Sequence, residues 1–218
     1  MARLVDLSHT IEDGMVTYPG LPGPRIGDHL SREASRSHYA PGTEFHIGRI
    51  EMVANTGTYL DTPFHRYPDG YDLAGLDLAR VAHLPGVCLA SPEGPITPDL
   101  LDGVDVAGSA VLFATGWSRH WGTDRYGATD HPFVTGETAA ALAEGGAALV
   151  GVDSVNIDAT TTGERPAHSV LLAAGIPVVE HLTGLGDLVG VAFRFFAVPV
   201  KVRAFGTFPV RAFAIVEG

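Results

Sequence analysis

Asn55-Thr56-Gly57-Thr58-Tyr59-Leu60-Asp61-Thr62-Pro63-Phe64-His65 follows a strand-like run at 45–54 and sets polar side chains between residues that shape the backbone. Gly57 opens conformations that a Cβ forbids. Pro63 stiffens the exit of the segment. Asp61 and His65 are each able to ligate a metal or to move a proton. Taken alone, the pattern fits a capped turn equally well. A second cluster lies far downstream, with His168 in Arg165-Pro166-Ala167-His168-Ser169 and Glu180 in Ile176-Pro177-Val178-Val179-Glu180-His181. A histidine that opens a helix and a glutamate that closes the next strand-like run can face one cleft. A helix-terminal histidine and a surface glutamate are the plainer alternative.

Around these segments, short apolar runs read as strands at 3–7, 86–90, 110–114 and 147–152, with longer ones at 189–202 and 210–216. Pro19-Gly20, Pro68-Asp69-Gly70, Pro85-Gly86 and Gly145-Gly146 are turn signals between them. A helix is expected over 135–144, with Thr135 as N-cap and Gly145-Gly146 as stop. A second is expected over 167–174, ending at Gly175, and a short one over 97–101 with Pro98 in its first turn. This uneven alternation indicates mixed α and β structure rather than a regular βαβ series. No repeat or linker divides the chain, so one domain over 1–218 is expected.

The 218 residues suffice for a sizeable core, and the formal charge of −11 opposes phosphate backbones, which argues against nucleic acid as a partner. The lone Cys88, inside Val87-Cys88-Leu89-Ala90, cannot form an internal disulfide and reads as a small buried hydrophobe. The N-terminus lacks the apolar stretch of a signal peptide, and no run is long enough to span a membrane. A cytoplasmic protein with no membrane partner is expected. Arg194, Lys201, Arg203 and Arg211 are read as strand residues reaching water or ion pairs, with a phosphate-binding patch as the alternative. No Gly-x-Ser-x-Gly elbow is present, and Ser109 and Ser154 read as ordinary polar residues.

Together the two polar clusters resemble the cyclase family of metal-dependent hydrolases, which includes kynurenine formamidases. The family signature is His-x-Gly-Thr-His-x-Asp-x-Pro-x-His, followed far downstream by a His and a Glu. The resemblance runs along almost the whole chain. Asp6-Leu7-Ser8-His9 with Tyr18-Pro19-Gly20 resembles the family's opening, and Phe113-Ala114-Thr115-Gly116-Trp117 its central strand and substrate loop. Gly151-Val152-Asp153-Ser154 precedes His168 and Glu180 as in the family, and Pro199-Val200-Lys201 and Pro209-Val210-Arg211 resemble its closing strands. The resemblance implies an α/β fold, a swivelling β/β/α domain with a mixed, barrel-like β core and few helices. It also implies a homodimer or homotetramer acting on a small-molecule substrate. In two-zinc relatives the signature histidines and the Asp hold one metal. The Asp bridges to a second, held also by the later His and Glu, while the last signature His moves protons. Carried over by position, Asp61 is the bridging carboxylate, His168 and Glu180 complete a metal site, and His65 is the acid/base.

Two signature histidines are replaced here, the first by Asn55 and the second by Tyr59. Both are poor zinc ligands, so the first metal site is expected to be lost while Asp61, His168 and Glu180 keep the other. Three arrangements follow. In the first, one divalent metal (zinc, manganese or iron) activates water, His65 shuttles the proton, Tyr59 donates to the oxyanion and Asn55 orients water or substrate. In the second, another histidine (His9, His29, His38, His46 or His181) rebuilds a site. In the third there is no metal, and His65 and Tyr59 run acid/base chemistry with Glu180, His168 and Asp61. The expected function is hydrolysis of a small amide, lactam or lactone, arylformamidase-like. The alternatives are a metal-independent cyclase, dehydratase or isomerase, and a binding protein without turnover. Trp117 and Trp121 are candidate pocket aromatics, and Arg66 or Arg119 a candidate partner for a substrate carboxylate.

Overall fold

The computed structural model describes residues 2–91 and 93–216. In chain order the strands are β1 (Arg3–Asp6), β2 (Arg25–Leu30), β3 (Ile47–Glu51), β4 (Tyr59–Asp61), β5 (Leu84–Ala90), β6 (Pro95–Ile96), β7 (Ala110–Ala114), β8 (Phe133–Val134), β9 (Leu149–Val152), β10 (Val178–Glu180), β11 (Phe193–Phe196), β12 (Thr207–Pro209) and β13 (Phe213–Val216). Three α-helices accompany them: α1 (Arg32–Ser35), α2 (Gly136–Glu144) and α3 (Pro166–Ala173). Nine strands form one sheet in the order β1-β13-β11-β5-β7-β9-β10-β4-β12. Its centre, β5-β7-β9-β10, is parallel, and both flanks are antiparallel. This mixed, half-barrel sheet with few helices is the α/β fold that the resemblance implied.

The parallel centre is apolar on both faces, as a sheet covered on both sides requires. Along β7, Val111 and Phe113 pack under α2 and α3 with Leu142, Leu171 and Leu172, while Ala110 and Leu112 join Leu60, Leu182 and Phe195 on the other face. Thr135 caps α2 by accepting from the backbone N–H of Thr138 at 3.2 Å, and Gly145 ends it. No helix among the described residues is long and apolar enough to cross a membrane.

Several elements differ from the sequence reading. The run at 189–202 is a strand only over Phe193–Phe196; beyond it Pro199 has no N–H to give a ladder, and Val198 and Val200 are exposed. The run at 45–54 narrows to Ile47–Glu51, and the segment at 97–101 is a 3₁₀ turn. Strands β4 and β12, three residues each, are too short to carry a period, yet both flank the polar cluster. Strands β2 and β3 pair only with one another and project from the body, with Phe45, Ile47 and Ile50 exposed.

Candidate active site

Pairing register builds the site. Strand β4 lies between β10 and β12, with Tyr59 opposite Glu180 and Asp61 opposite Thr207. Successive side chains alternate, so Tyr59 and Asp61 share one face while Leu60 enters the core. Cross-strand neighbours on that face touch. The Tyr59 hydroxyl donates to Glu180 Oε2 at 2.7 Å, and the Thr207 hydroxyl donates to Asp61 Oδ1.

His65 stands at the end of a 3₁₀ turn over Pro63–His65, directly against Gly206. A Cβ at Gly206 would lie 2.3 Å from the His65 backbone nitrogen, so only glycine lets β12 and this turn approach. The Thr207 oxygen is 2.8 Å from His65 Nδ1. A hydroxyl has a single proton. With that proton given to Asp61, His65 Nδ1 donates to Thr207, and the half-exposed ring presents the Nε2 lone pair outward.

His168 opens helix α3, and Asp158 holds it there. Asp158 Oδ1 accepts from the Ala167 backbone N–H at 2.6 Å, and Oδ2 accepts from the His168 backbone N–H at 3.1 Å and from its Nδ1 at 2.6 Å. Asp158 thus caps the helix and aims His168 Nε2 inward, 3.7 Å from both Asp61 Oδ2 and Glu180 Oε1. Asp61 Oδ2 is buried and makes no hydrogen bond. Ligand atoms of Asp61, His65 and His168 all lie within 4.8 Å of one another.

These groups perturb one another strongly. Burial opposes charge on His168, but Glu180, Asp158 and Asp61 outweigh it and push its imidazole up to about 10. Burial also opposes charge on Asp61, and His168, His65 and Thr207 nevertheless hold its carboxyl below the usual range. Burial and the Asp61 charge push Glu180 up, against the pull of His168, Tyr59 and the Ile157 backbone N–H. One imidazolium therefore serves several buried acids, and Asp61 still has an orphaned oxygen. Two carboxylates and a neutral imidazole on these spacings fit a divalent cation. Glu180 Oε2 is taken by Tyr59, and Oε1 accepts from the Ile157 N–H at 2.6 Å while keeping a second lone pair.

Behind Tyr59 runs a buried chain. The Tyr126 hydroxyl is 2.8 Å from His181 Nδ1, and His181 Nε2 is 3.2 Å from the Tyr59 oxygen. Since Tyr59 donates to Glu180, His181 Nε2–H donates to Tyr59 and Tyr126 donates to His181 Nδ1. Burial pushes His181 down to about 3, so it stays neutral, and its backbone sits at φ 58°. A non-glycine residue held in that left-handed region by its surroundings is a mark of sites under constraint. Asn55 is half-buried nearby and opposes the rise that burial, Glu180 and Asp61 impose on the same phenol. The Tyr59 proton is committed to Glu180, so the phenol positions that carboxylate instead of facing an oxyanion.

The structure thus gathers Asn55, Tyr59, Asp61, His65, His168 and Glu180 in one place. Trp117 is buried under the loop, with its indole N–H donating to the Tyr126 carbonyl at 2.9 Å and Arg125 over its ring. Trp121 stacks on His9 at 3.9 Å and lines a cavity of about 860 Å³. Arg66 lines a separate cavity of about 550 Å³ beside Arg165 and Ser169, and Arg119 is exposed beside Glu93. Among the other histidines, His46 pairs with Asp28 on the projecting hairpin. Thr207, Asp158 and Tyr126 escaped the sequence reading. Only His181 carried a signal, as the neighbour of Glu180.

Comparison with known proteins gives a consistent picture. The family described as "Putative cyclase" matches residues 5–159. The kynurenine formamidase of Geobacillus thermodenitrificans is 29% identical over 216 residues, covering 95% of each chain. That of Bacillus mycoides is 27% identical over 212 residues, covering 97% of this chain and 96% of its own. Among solved structures, isatin hydrolase A from Labrenzia aggregata superposes with a TM-score of 0.83 at 22% identity, over 100% of this chain and 94% of its own. A potential metal-dependent hydrolase with cyclase activity superposes at 0.79, with 24% identity and full coverage of both chains. At these identities the superpositions speak for the fold.

Proposed function

The chain belongs to the cyclase family, and on that premise we propose that it hydrolyses the C–N bond of a small, non-peptide amide or lactam, in the manner of an arylformamidase, with one divalent cation, zinc or manganese, at Asp61, His168 and Glu180. The observation that carries this reading is Asp61 Oδ2, buried without a hydrogen bond and facing His168 Nε2. A cation bound there supplies Lewis acidity to the substrate carbonyl and makes water more acidic. The remaining work falls to the chain itself. His65, fixed through Thr207 with its Nε2 lone pair outward, takes the proton of the attacking water. The same nitrogen returns that proton to the leaving nitrogen as the C–N bond breaks, giving an amine and a carboxylic acid, which then loses its remaining proton to solvent as the carboxylate. Asp158 and Tyr59 hold His168 and Glu180 in place.

The whole chain, 1–218, acts as one catalytic domain in this proposal, working in the cytoplasm as a homodimer or homotetramer. The hairpin of β2 and β3 supports assembly. Two strands alone are marginal in water, yet this pair leaves Ile26, Ile47 and Ile50 exposed. A second reading, metal-free acid/base chemistry by His65 and Tyr59, draws on the hydrogen-bonded Tyr126-His181-Tyr59-Glu180 chain.

Elemental mass spectrometry on protein purified without a metal-affinity tag separates the two. About one equivalent of zinc or manganese, lost in Glu180→Ala, supports the hydrolase. Formanilide hydrolysis should disappear in His65→Ala while binding persists. Metal-free protein that hydrolyses formanilide at the same rate with and without added cation would refute the metal-dependent reading.

A further inference from the structure

A cavity of about 860 Å³ is lined by none of the acid/base groups, but its wall is hydrogen-bonded to the elements that carry them. The His9 backbone N–H donates to the Thr58 hydroxyl at 3.0 Å, and that hydroxyl donates to the His181 carbonyl at 2.6 Å. Tyr126, on the cavity wall, holds His181 from the other side. The wall is therefore one hydrogen bond removed from the strand that carries Tyr59 and Asp61.

The chemistry of this wall is unusual. Trp121 and His9 lie nearly parallel, 3.9 Å apart with 4° between their planes, and Met15 and Tyr126 extend the flat apolar surface. His9 Nε2 is buried and has no hydrogen-bond partner. Burial pushes this imidazole down to about 4, so it is neutral near pH 7. An unpaired buried nitrogen costs free energy unless a ligand completes it, and an amide offers both an N–H and a carbonyl to do so. The acidic side chains on the wall are Glu12 and Asp124, both exposed, and among the described residues no lysine or arginine lines it. The separate cavity at Arg66 sets that arginine beside an acid and a second arginine. Arg165 commits Nη1 to the carbonyls of Ala159, Thr162 and Glu164, and Glu164 shares the wall.

We propose that the cavity walled by His9 and Trp121 binds the aromatic part of the substrate, and that Glu12 and Asp124 select neutral or cationic aryl amides against those carrying a carboxylate. The inference rests on the hydrolase reading above for the word substrate, but its test does not require turnover. Three aryl ureas, which resist hydrolysis, serve as probes: phenylurea, 4-(aminomethyl)phenylurea and 4-carboxyphenylurea. Binding to the full-length protein is read by tryptophan fluorescence and by calorimetry at low and high salt.

The neutral and cationic probes should bind at least about tenfold more tightly than the carboxylate, the scale of one or two charge pairs at a protein surface. High salt should shrink that ratio. Glu12→Gln with Asp124→Asn, both isosteric changes at exposed positions, should bring it close to unity. Trp121→Leu should abolish the fluorescence change and weaken all three probes. A carboxylate probe that binds as well as the others, a ratio unmoved by the double variant, or no binding of any probe would each overturn the proposal. Cation-dependent hydrolysis of formanilide, measured separately, judges the hydrolase reading on its own.

Discussion

Removing one oxygen atom tests the idea that Tyr59 is a structural partner of Glu180. In Tyr59→Phe the ring stays in its buried place, but two hydrogen bonds disappear: the donation to Glu180 Oε2 at 2.7 Å and the acceptance from His181 Nε2 at 3.2 Å. Tyr59 is 2% exposed, Glu180 1% and His181 0%, so water cannot replace the lost oxygen. A bond to a charged group contributes about 1.5–3 kcal/mol, and each buried polar atom left unpaired costs about 1–3 kcal/mol. These contributions overlap, and a loss of about 3–5 kcal/mol results. For a chain of this length each kcal/mol moves Tm by about 2–4 °C, so a fall on the order of 10 °C is expected. Calorimetry and urea denaturation on cation-free protein measure it. Tyr67→Phe is the comparator, because its hydroxyl makes a single neutral bond to the Ser169 carbonyl at 2.9 Å; a loss of about 1 kcal/mol is expected there. If Tyr59→Phe proves no more harmful than Tyr67→Phe, Tyr59 does not hold Glu180 in solution and the hydrogen-bonded chain is wrong.

The other predictions concern protons and placement. His168 is pushed up to about 10 in the cation-free chain, so zinc binding at pH 7.5 should release about one proton from it, read by calorimetry in buffers of different ionisation enthalpy; no release would contradict the ligand assignment. The same shift, raised above the unfolded value of about 6.5, gives stability that is full below pH ~6.5 and lost as pH climbs toward 10. His181 runs the opposite way. Burial takes it down to about 3, so its stabilisation is full above pH ~6.5 and falls on acidification by up to ~1.4 kcal/mol per pH unit, visible as a drop in urea midpoint between pH 7 and 5. Asp158→Asn should keep the fold but weaken cation affinity by about 10–100-fold, since His168 loses the partner that fixes its tautomer; unchanged affinity would remove Asp158 from that role. Gly206→Ala forces the His65 turn away from Thr207 and should lower kcat by roughly 10²-fold with cation content intact.

Residue order alone could expose the parts of this site whose chemistry is written in their type. Asp61, His65, His168 and Glu180 are ligands and bases by nature, and a shared signature brought them together before any contact was known. The central strands β5, β7 and β9 were equally legible as short apolar runs, though not their parallel pairing. What could not be read is everything fixed by register. Thr207 sits opposite Asp61 only because the three-residue strand β12 pairs with β4 there, and threonine has no sequence mark that separates a hydrogen-bond relay from a surface hydroxyl. Asp158 looks like a loop acid until helix α3 folds onto it.

The two replaced histidines were legible as losses, but the consequence was not. A tyrosine in place of a ligand suggested a hydroxyl free to serve the reaction. Pairing of Tyr59 with Glu180 instead places that hydroxyl on a buried carboxylate, and His181 and Tyr126 then fill the volume behind it with neutral hydrogen bonds. A second cation would have to displace this chain, and His181 resists the charge that would accompany its opening. Tyr59 therefore does more than occupy a signature histidine's position. In the proposed single-cation site, the chain from Tyr126 through His181 and Tyr59 is a hydrogen-bonded strut that holds Glu180 in place.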